Sequence, residues 1–165
     1  MIRPMSLHVV LVEPEIHWNT GNAGRSCLAA GAELHLVQPL GFSLDEREVR
    51  RAGLDYWEHV PLHIWHDWPE IEANLPGLGE PFFFSTKGER PYWEADFGER
   101  TVLVFGPETR GLPEPLLERY SRQVFRIPMH SQHIRSLNLS TTVGIALYEV
   151  LRQRAIRALA PRPER

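Results

Sequence analysis

The chain has 165 residues, 42% of them apolar and 24% charged, which suits one ordinary globular domain with its own core. No apolar run approaches the roughly 20 residues that span a membrane, and the first apolar stretch ends at Glu13, too early for a secretory signal. A single cysteine, Cys27, excludes an intramolecular disulfide framework and a multi-cysteine metal site, and its small apolar neighbours indicate a buried side chain. We expect one cytoplasmic domain over residues 1–165 and no membrane contact.

The formal net charge of −3 hides an uneven distribution of charge along the chain. Residues 1–118 contain nine basic and nineteen acidic side chains, whereas residues 119–165 contain nine arginines and only two glutamates. This basic C-terminal third is consistent with a phosphate-binding face. A solvated, arginine-rich helix end would give the same count, and both interpretations stay open at this point.

Short apolar runs alternate with helix-compatible stretches, a pattern typical of a mainly parallel α/β sheet flanked by helices. The predicted strands are residues 7–12, 34–37, 81–85, 101–105 and 124–127, with a weaker one at 60–65. The predicted helices are residues 23–30 after the cap-forming types Asn19 and Thr20, a charged segment 45–54 that carries Arg47, Arg50 and Arg51, residues 69–74, and a final helix 140–158 with Val143, Leu147, Val150 and Leu151 on its apolar face. No internal repeat or linker divides these elements into two domains.

Three predicted strands end in polar or glycine-rich turns, directly after Ser85, Phe105 and Ile127. Ligands of open α/β sheets bind at the carboxyl ends of the strands, so we expect these three turns to form one site. The turns are rich in Gly, Pro and Ser, which indicates a pocket built largely from backbone groups. Neither a Walker pattern nor a GxGxxG motif is present, so a nucleotide-binding hydrolase has little support.

Arg25 and Glu108 are candidate site residues whose sequence context leaves two interpretations open. Arg25 lies among small residues in NTGNAGR, so it either serves a ligand or forms an ion pair with Glu13 or Glu15. Glu108 lies with Arg110 in GPETRG, where the glycines allow either a close approach to a ligand or only a tight turn.

The segment RSLNLST, which begins at Arg135, supplies Ser136, Asn138 and Ser140 immediately before the final helix. Ser140 or Thr141 is the expected N-cap, and the free N–H groups of a helix start favour anionic or acceptor atoms. The eight histidines, among them the pair His130 and His133, show no HExxH or other ligand pattern, so we expect no metal site.

Taken together, NTGNAGR at 19–25, FGPETRGL at 105–112, and IPM at 127–129 with RSLNLSTTVGIALYE at 135–149 resemble the three signature motifs of the SPOUT-class RNA ribose 2′-O-methyltransferases. Order and spacing match across nearly the whole chain. The stretches VEPEIHWNTGN at 12–22, RRAGLDYW at 50–57 and STKG at 85–88 further resemble the small tRNA wobble-position (cytidine/uridine-34) 2′-O-methyltransferases, which also lack a separate RNA-binding domain.

The resemblance implies S-adenosylmethionine as methyl donor, S-adenosylhomocysteine as product, a deep C-terminal trefoil knot, a homodimer and the tRNA anticodon loop as partner. Knots are rare exceptions to the rules of chain connection and are not derivable from residue patterns. By motif, the ribose site would comprise Arg25, Glu108, Ser136 and Asn138. The cofactor site would be lined by Phe84, Thr86, Gly106, Ile127, Met129, Ser136 and Leu137.

The same resemblance assigns Arg25 to the 2′-hydroxyl that is methylated. A guanidinium with a pKa above about 12 is a poor base, so stabilising a developing alkoxide or holding a phosphate suits Arg25 better. The final helix, with Tyr148 and Leu151, is expected to contribute to the dimer contact. Methylation of another tRNA or rRNA position, and a non-catalytic RNA-binding role, are the alternatives. The loop HSQHI at 130–134 is longer and less acidic than the family pattern.

Overall fold

The computed structural model describes residues 4–45, 47–48 and 54–161. Within these residues seven strands form one sheet: β1 (Ser6–Val12), β2 (Glu33–Val37), β3 (Leu62–Trp65), β4 (Glu80–Phe84), β5 (Arg90–Pro91), β6 (Arg100–Phe105) and β7 (Val124–Arg126). Their order is β3-β2-β1-β6-β4-β7-β5, and every neighbouring pair is parallel. The predicted mainly parallel sheet is therefore confirmed.

Helices cover both faces of the sheet. They are α1 (His17–Ala30), α2 (Trp68–Leu78), α3 (Glu114–Arg119) and α4 (Leu139–Leu159), with single 3₁₀ turns at Trp57–His59, Tyr92–Glu94 and Ser121–Gln123. Helices α1 and α4 pack on one face of the sheet, and α2 and α3 pack on the other. The central strand β1 is buried on both faces, which explains why its sequence is continuously apolar. No helix in the described ranges is long and apolar enough to cross a bilayer.

Most predicted elements are present, and apart from the start of α1 their ends agree to within four residues. Helix α4 buries Val143, Leu147 and Val150 as its apolar periodicity predicts. Cys27 is buried in the core as expected, and burial raises the pKa of its thiol to about 12. Strand β5 and helix α3 were not predicted, because two and six residues are too few to show a period. Of the charged segment 45–54, residues 47–48 are helical, whereas Arg50 and Arg51 lie outside the described residues.

Helix α1 begins six residues earlier than predicted, at His17. Asn19 and Thr20 are therefore buried inside the helix, and the expectation that they cap it is wrong. Glycines instead shape the outer side of α1. A Cβ on Gly21 would lie 2.8 Å from the Leu54 side chain, and one on Gly24 would lie 2.8 Å from the Trp57 ring. The small residues of NTGNAGR thus allow the segment after residue 54 to pack closely against the helix.

The strand order places the carboxyl ends of β1, β6, β4 and β7 side by side. From β1 the chain runs to β2 and β3 on one side, while β6, β4 and β7 lie on the other. The order thus reverses between β1 and β6, and a crevice opens at such a point in an open α/β sheet. The turns after β4, β6 and β7 lie at this edge, together with the start of α1.

A cluster of histidines lies on the face of the sheet that α2 covers, away from the carboxyl ends of the strands. His8 and His35 are buried on neighbouring strands, and His8 Nδ1 lies 2.9 Å from His35 Nε2. The His63 ring stacks on His35 with 4.6 Å between centroids, and Glu33 Oε2 lies 3.1 Å from His8 Nδ1. The register of parallel strands, and not spacing along the chain, brings these side chains together.

His8, Glu33 and His35 present ligand-type atoms that all lie within 4.8 Å of one another. The Trp65 indole N–H donates to His35 Nδ1 over 2.9 Å, so the proton of neutral His35 is on Nε2 and points to His8. A cation at this point would need the Nε2 lone pair, which would leave His35 without a ring proton. The cluster is therefore a pair of neutral, hydrogen-bonded histidines in the packing of the sheet.

Burial, reinforced by His8 and His63, lowers the pKa of His35 to about 3, from an ordinary value of 6.5. Between these pH values the unfolded chain binds a proton that the folded chain does not. Stability is therefore lost as pH falls below 6.5, and His35 contributes about 1.4 kcal/mol of loss per pH unit. We expect His35→Gln, which keeps an acceptor for Trp65, to lose less free energy of unfolding between pH 7.5 and 4.5 in urea titrations. The exposed His59→Gln is the control, and equal acid loss in wild type and His35→Gln would contradict this assignment.

Candidate functional site

The carboxyl edge of the sheet contains a cavity of about 490 Å³ beside the starts of α1 and α4. Its walls come from the turns after β4, β6 and β7 and from the segment before α4, as the sequence predicts. Among its lining residues are Ile16, Asn19, Phe84, Thr86, Phe105, Gly106, Glu108, Arg110, Ile127, Arg135, Ser136, Leu137 and Asn138. Six of the seven predicted cofactor residues line this cavity. Met129 does not, because the chain turns away from the sheet after Ile127.

Glu108 joins the turn after β6 to the start of α1. Its carboxylate accepts the backbone N–H of Glu15 over 2.7 Å and that of Ile16 over 3.1 Å. The N-cap residue of α1, Ile16, has no side chain that could accept such bonds. A carboxylate 92 residues later therefore satisfies N–H groups at the start of the helix, where negative charge is also favoured. Tertiary capping explains why α1 starts earlier than its own sequence predicts.

A second carboxylate, that of Glu15 after β1, accepts hydrogen bonds from the turn after β6. Glu15 Oε1 accepts the hydroxyl of Thr109 over 2.7 Å and its backbone N–H over 3.1 Å. These bonds from Thr109 are the main cause that lowers the pKa of Glu15. The turns after β1 and β6 thus hold each other through reciprocal bonds, and the expected ion pair between Arg25 and Glu15 is not formed.

Asn19 links all three motif segments, and sequence reasoning did not place it in the site. It is buried; its Nδ2 donates to Glu108 Oε1 over 3.3 Å, and its Oδ1 accepts from Asn138 Nδ2 over 2.9 Å. An amide suits this position because it donates and accepts at once. The signal in the sequence was an asparagine at the third position of a helix, where this residue type is unfavourable without a tertiary partner.

Asn138 is the N-cap of α4, whereas Ser140 or Thr141 was predicted. Its Oδ1 accepts the N–H groups of Ser140 over 2.9 Å and Thr141 over 3.4 Å. Because its Nδ2 donates to Asn19, both ends of the Asn138 amide are engaged within the protein. Asn138 therefore acts on the cavity by holding the start of α4, one turn from Ser136.

The other two predicted catalytic residues differ in where they lie. Ser136 lines the cavity, is exposed, and makes no side-chain hydrogen bond to any described residue. Arg25 is exposed two turns into α1 and is not among the lining residues; its guanidinium carbon lies 5.6 Å from the centroid of the Tyr56 ring. A single chain therefore brings Glu108, Ser136 and Asn138 to the cavity region but leaves Arg25 outside the cavity lining.

The glycine after β6 closes its turn tightly. A Cβ on Gly106 would lie 2.4 Å from the Gly111 carbonyl carbon and 2.4 Å from the Leu112 nitrogen. Gly111 adopts a φ of 68°, in the left-handed region that favours glycine. The motif GPETRG therefore forms a compact turn that lines the cavity, which confirms the turn interpretation, whereas the close approach to a ligand stays a prediction.

The arginines of α4 do not form a free basic face. Arg152 pairs with Glu149 over 2.8 Å, and Arg157 bonds to Asp96 and to the Phe97 carbonyl. Arg154 donates to the carbonyl oxygens of residues 6, 98 and 99, over 2.8–3.3 Å. For the part of this helix that the structure describes, these bonds tie the helix to neighbouring loops and favour the interpretation as an arginine-rich helix end.

Comparison with known proteins identifies the motif segments independently. The model of the SpoU rRNA methylase family matches residues 6–148. The tRNA (cytidine(34)-2′-O)-methyltransferase of Burkholderia cenocepacia (strain HI2424) is 47% identical over 148 residues, which are 88% of this chain and 94% of that protein. The family match over residues 6–148 contains the first two motif segments and all but the last residue of the third.

Solved structures give the same result for the fold. One, from a study of the 2-OH methylation of C/U34 on tRNA, is 46% identical, covers 94% of this chain and all of its own, and superposes with a TM-score of 0.85. The AdoMet-bound rRNA methyltransferase from Sinorhizobium meliloti is 26% identical, with a TM-score of 0.79 over 96% of this chain and 59% of its own. The fold and the cavity edge are therefore those of a methyltransferase family.

Glu108 is expected to stabilise the protein measurably. Glu108→Ala removes an acceptor of two backbone N–H groups and should lower the free energy of unfolding by about 1–3 kcal/mol. Urea titration measures the difference. The matched control is Glu114→Ala, which removes an exposed carboxylate paired with Lys87 over 2.7 Å and should cost less than about 1 kcal/mol. Equal effects of the two variants would contradict the capping role.

Proposed function

Because the chain belongs to the SpoU rRNA methylase family, we propose that it methylates a ribose 2′-hydroxyl of RNA with S-adenosylmethionine. The observation that carries this proposal is the cavity at the carboxyl edge, which all three motif segments line. In the reaction an oxygen–carbon bond forms to the methyl group, its bond to sulfur breaks, and the hydroxyl proton is released, leaving S-adenosylhomocysteine. Much of the rate must come from holding hydroxyl and methyl in line.

The residues of the cavity fit such a cofactor. Its volume of about 490 Å³ is within the range of about 300–1,000 Å³ typical of small-molecule pockets. Apolar side chains of Phe84, Ile127 and Leu137 would pack against the adenine, and backbone groups around Gly106 would bond to its edge. When bound, S-adenosylmethionine supplies an electrophilic methyl carbon. The absence of carboxylates from this adenine-facing set agrees with the uncharged nature of the base.

We infer the wobble nucleotide of tRNA, cytidine or uridine 34, as the substrate. The Burkholderia cenocepacia relative is named for this reaction, and the structure with a TM-score of 0.85 comes from a study of it. Another RNA position is the second candidate, because the family is named for rRNA and one relative is an rRNA methyltransferase. The inferred location is the cytoplasm, where this substrate is found.

Two of the predicted catalytic residues are assigned to the reacting hydroxyl. Ser136 is exposed in the cavity with its hydroxyl unengaged, so it can bond the ribose directly. Arg25 is assigned to the developing alkoxide or to the adjacent phosphate, since its guanidinium cannot act as a base near neutral pH. Glu108 and Asn138 are positioning residues, because their side chains are bonded to the protein.

The distance of Arg25 from the cavity of its own protomer supports a homodimer in which Arg25 serves the partner's site. Helix α4 presents exposed apolar side chains at Tyr148, Ile156 and Leu159, as an interface helix does. Leu151 packs partly against the core and offers less to such a contact. The parallel sheet order also supports the deep trefoil knot, which stays a prediction.

The substrate is tested by incubating the purified protein with methyl-labelled S-adenosylmethionine and bulk tRNA, followed by mapping of the labelled nucleotide. We expect label on the ribose of nucleotide 34. Label at another position would support the second candidate, and cofactor binding by calorimetry without any transfer would support a non-catalytic RNA-binding protein.

Arg25→Ala should abolish methyl transfer, by at least about 100-fold, because the alkoxide loses its stabilising cation. Calorimetry should show S-adenosylmethionine affinity nearly unchanged, since Arg25 does not line the cavity. The control is Arg47→Ala, which removes another exposed cation from the N-terminal half of the chain. Full activity of the Arg25 variant would remove this residue from the mechanism.

Sedimentation is expected to show a dimer at micromolar concentration. Tyr148→Asp places a charge in the proposed contact and should shift the protein towards monomer with loss of transfer activity, while the folded state persists by circular dichroism. Trp93→Asp, at another exposed aromatic residue, is the control. A wild-type monomer would contradict the shared site.

A further inference from the structure

Two arginines at the cavity have no partner among the residues that the structure describes. Arg110 lies in the turn after β6, and Arg135 lies in the segment before α4. Both are exposed, and both line the same cavity. They lie on two different segments around one opening, next to the site of the proposed reaction.

Most other described arginines are engaged elsewhere, and the exceptions, Arg25, Arg47 and Arg122, do not line the cavity. Arg90 and Arg100 bond to backbone carbonyl oxygens, as does Arg126, while Arg119 pairs with Glu72. The arginines of α4 are bound to its surroundings, as described above. Lys87 also lines the cavity, but it pairs with Glu114. Among the cations that line the cavity, Arg110 and Arg135 are therefore the two without a recorded side-chain partner in the described ranges.

The nearest described carboxylates form no recorded ion pair with Arg110, although the bonds from Thr109 and, after them, the positive charge of Arg110 lower the pKa of Glu15. Glu108 accepts backbone N–H groups at the start of α1, and Glu15 accepts from Thr109. Their oxygens are thus used by uncharged donors. The N–H groups of the Arg110 guanidinium therefore remain available to bind an external anion, either a planar carboxylate or a tetrahedral phosphate.

The chemistry of the cavity indicates which anion. S-adenosylmethionine carries a sulfonium and an ammonium against one carboxylate, so two guanidinium groups would add like charge to a cationic ligand. A polyanion offset from the cofactor suits them better, and each ribose in RNA is flanked by phosphates on both sides. Resting on the proposed function, we propose that Arg110 and Arg135 clamp backbone phosphates of the RNA next to the ribose that enters the cavity.

The clamp is tested by measuring tRNA affinity of Arg110→Ala, Arg135→Ala and the double variant, by filter binding between about 50 and 200 mM salt. Each loss of a phosphate contact should weaken binding about tenfold and reduce the slope of log K against log salt by about 0.7–0.9. In steady-state kinetics KM for tRNA should rise by a similar factor. kcat at saturating tRNA should stay within about twofold, because the contact holds ground state and transition state alike.

Arg122→Ala is the matched control. This arginine is exposed, makes no recorded side-chain bond to a described residue, and does not line the cavity. Arg122→Ala removes the same charge. An equal effect of this variant would mean that the arginines only attract RNA through the overall charge of the protein, and it would overturn the clamp. A loss of S-adenosylmethionine affinity in the Arg110 or Arg135 variant, measured by calorimetry, would assign that residue to the cofactor carboxylate and would also overturn it.

The two proposals fail in different ways. If wild type transfers no methyl group to tRNA, the proposed function fails, whereas filter binding still decides the clamp. If wild type methylates tRNA and the variants bind it with unchanged affinity and slope, only the clamp is wrong.

Discussion

The site depends on one chain of hydrogen bonds that joins three segments distant in sequence. Asn138 donates to Asn19, and Asn19 donates to Glu108. Glu108 in turn accepts the backbone N–H groups of Glu15 and Ile16, directly before α1. Asn19 and Asn138 each donate through the amide nitrogen and accept through the amide oxygen. Without these bonds, the start of α1 would have unsatisfied N–H groups and a buried amide would have no partner, both of which are costly. The chain therefore fixes two helix starts and one turn around the same cavity.

This arrangement divides the polar residues of the motifs into two groups. The carboxylates and amides, which chemical intuition would assign to catalysis, are bonded to one another and to the backbone. The exposed residues Ser136, Arg110 and Arg135 remain free to meet a ligand. A site of this kind is prepared by its supporting bonds and needs little rearrangement when substrate arrives, which is how enzymes obtain much of their rate.

The sequence predicts the layers of the fold well, because buried parallel strands and the apolar face of α4 leave clear periodic signals. It predicts the cavity for a similar reason, since three turns follow strands that end at one edge. The start of α1 was predicted less accurately, because the Glu108 carboxylate that accepts hydrogen bonds there lies about 90 residues away. The bonds of Arg154 and Arg157 could not be predicted from any local pattern, since their acceptors include carbonyl oxygens of distant loops. The histidine cluster was missed because strand register, and not helical spacing, creates it.

The position of β1 in the centre of the sheet has a consequence for synthesis of the protein. One edge of β1 pairs with β2 soon after it is made, but the other edge pairs with β6, whose first residue comes 63 positions after the end of β2. At a synthesis rate of about 5–20 residues per second, this apolar edge stays unpaired for roughly 3–12 seconds. An unpaired edge of buried, β-branched residues is a template for association with other chains. The nascent protein is therefore most vulnerable to aggregation before its active-site turns exist, and chaperone binding during translation would protect this edge.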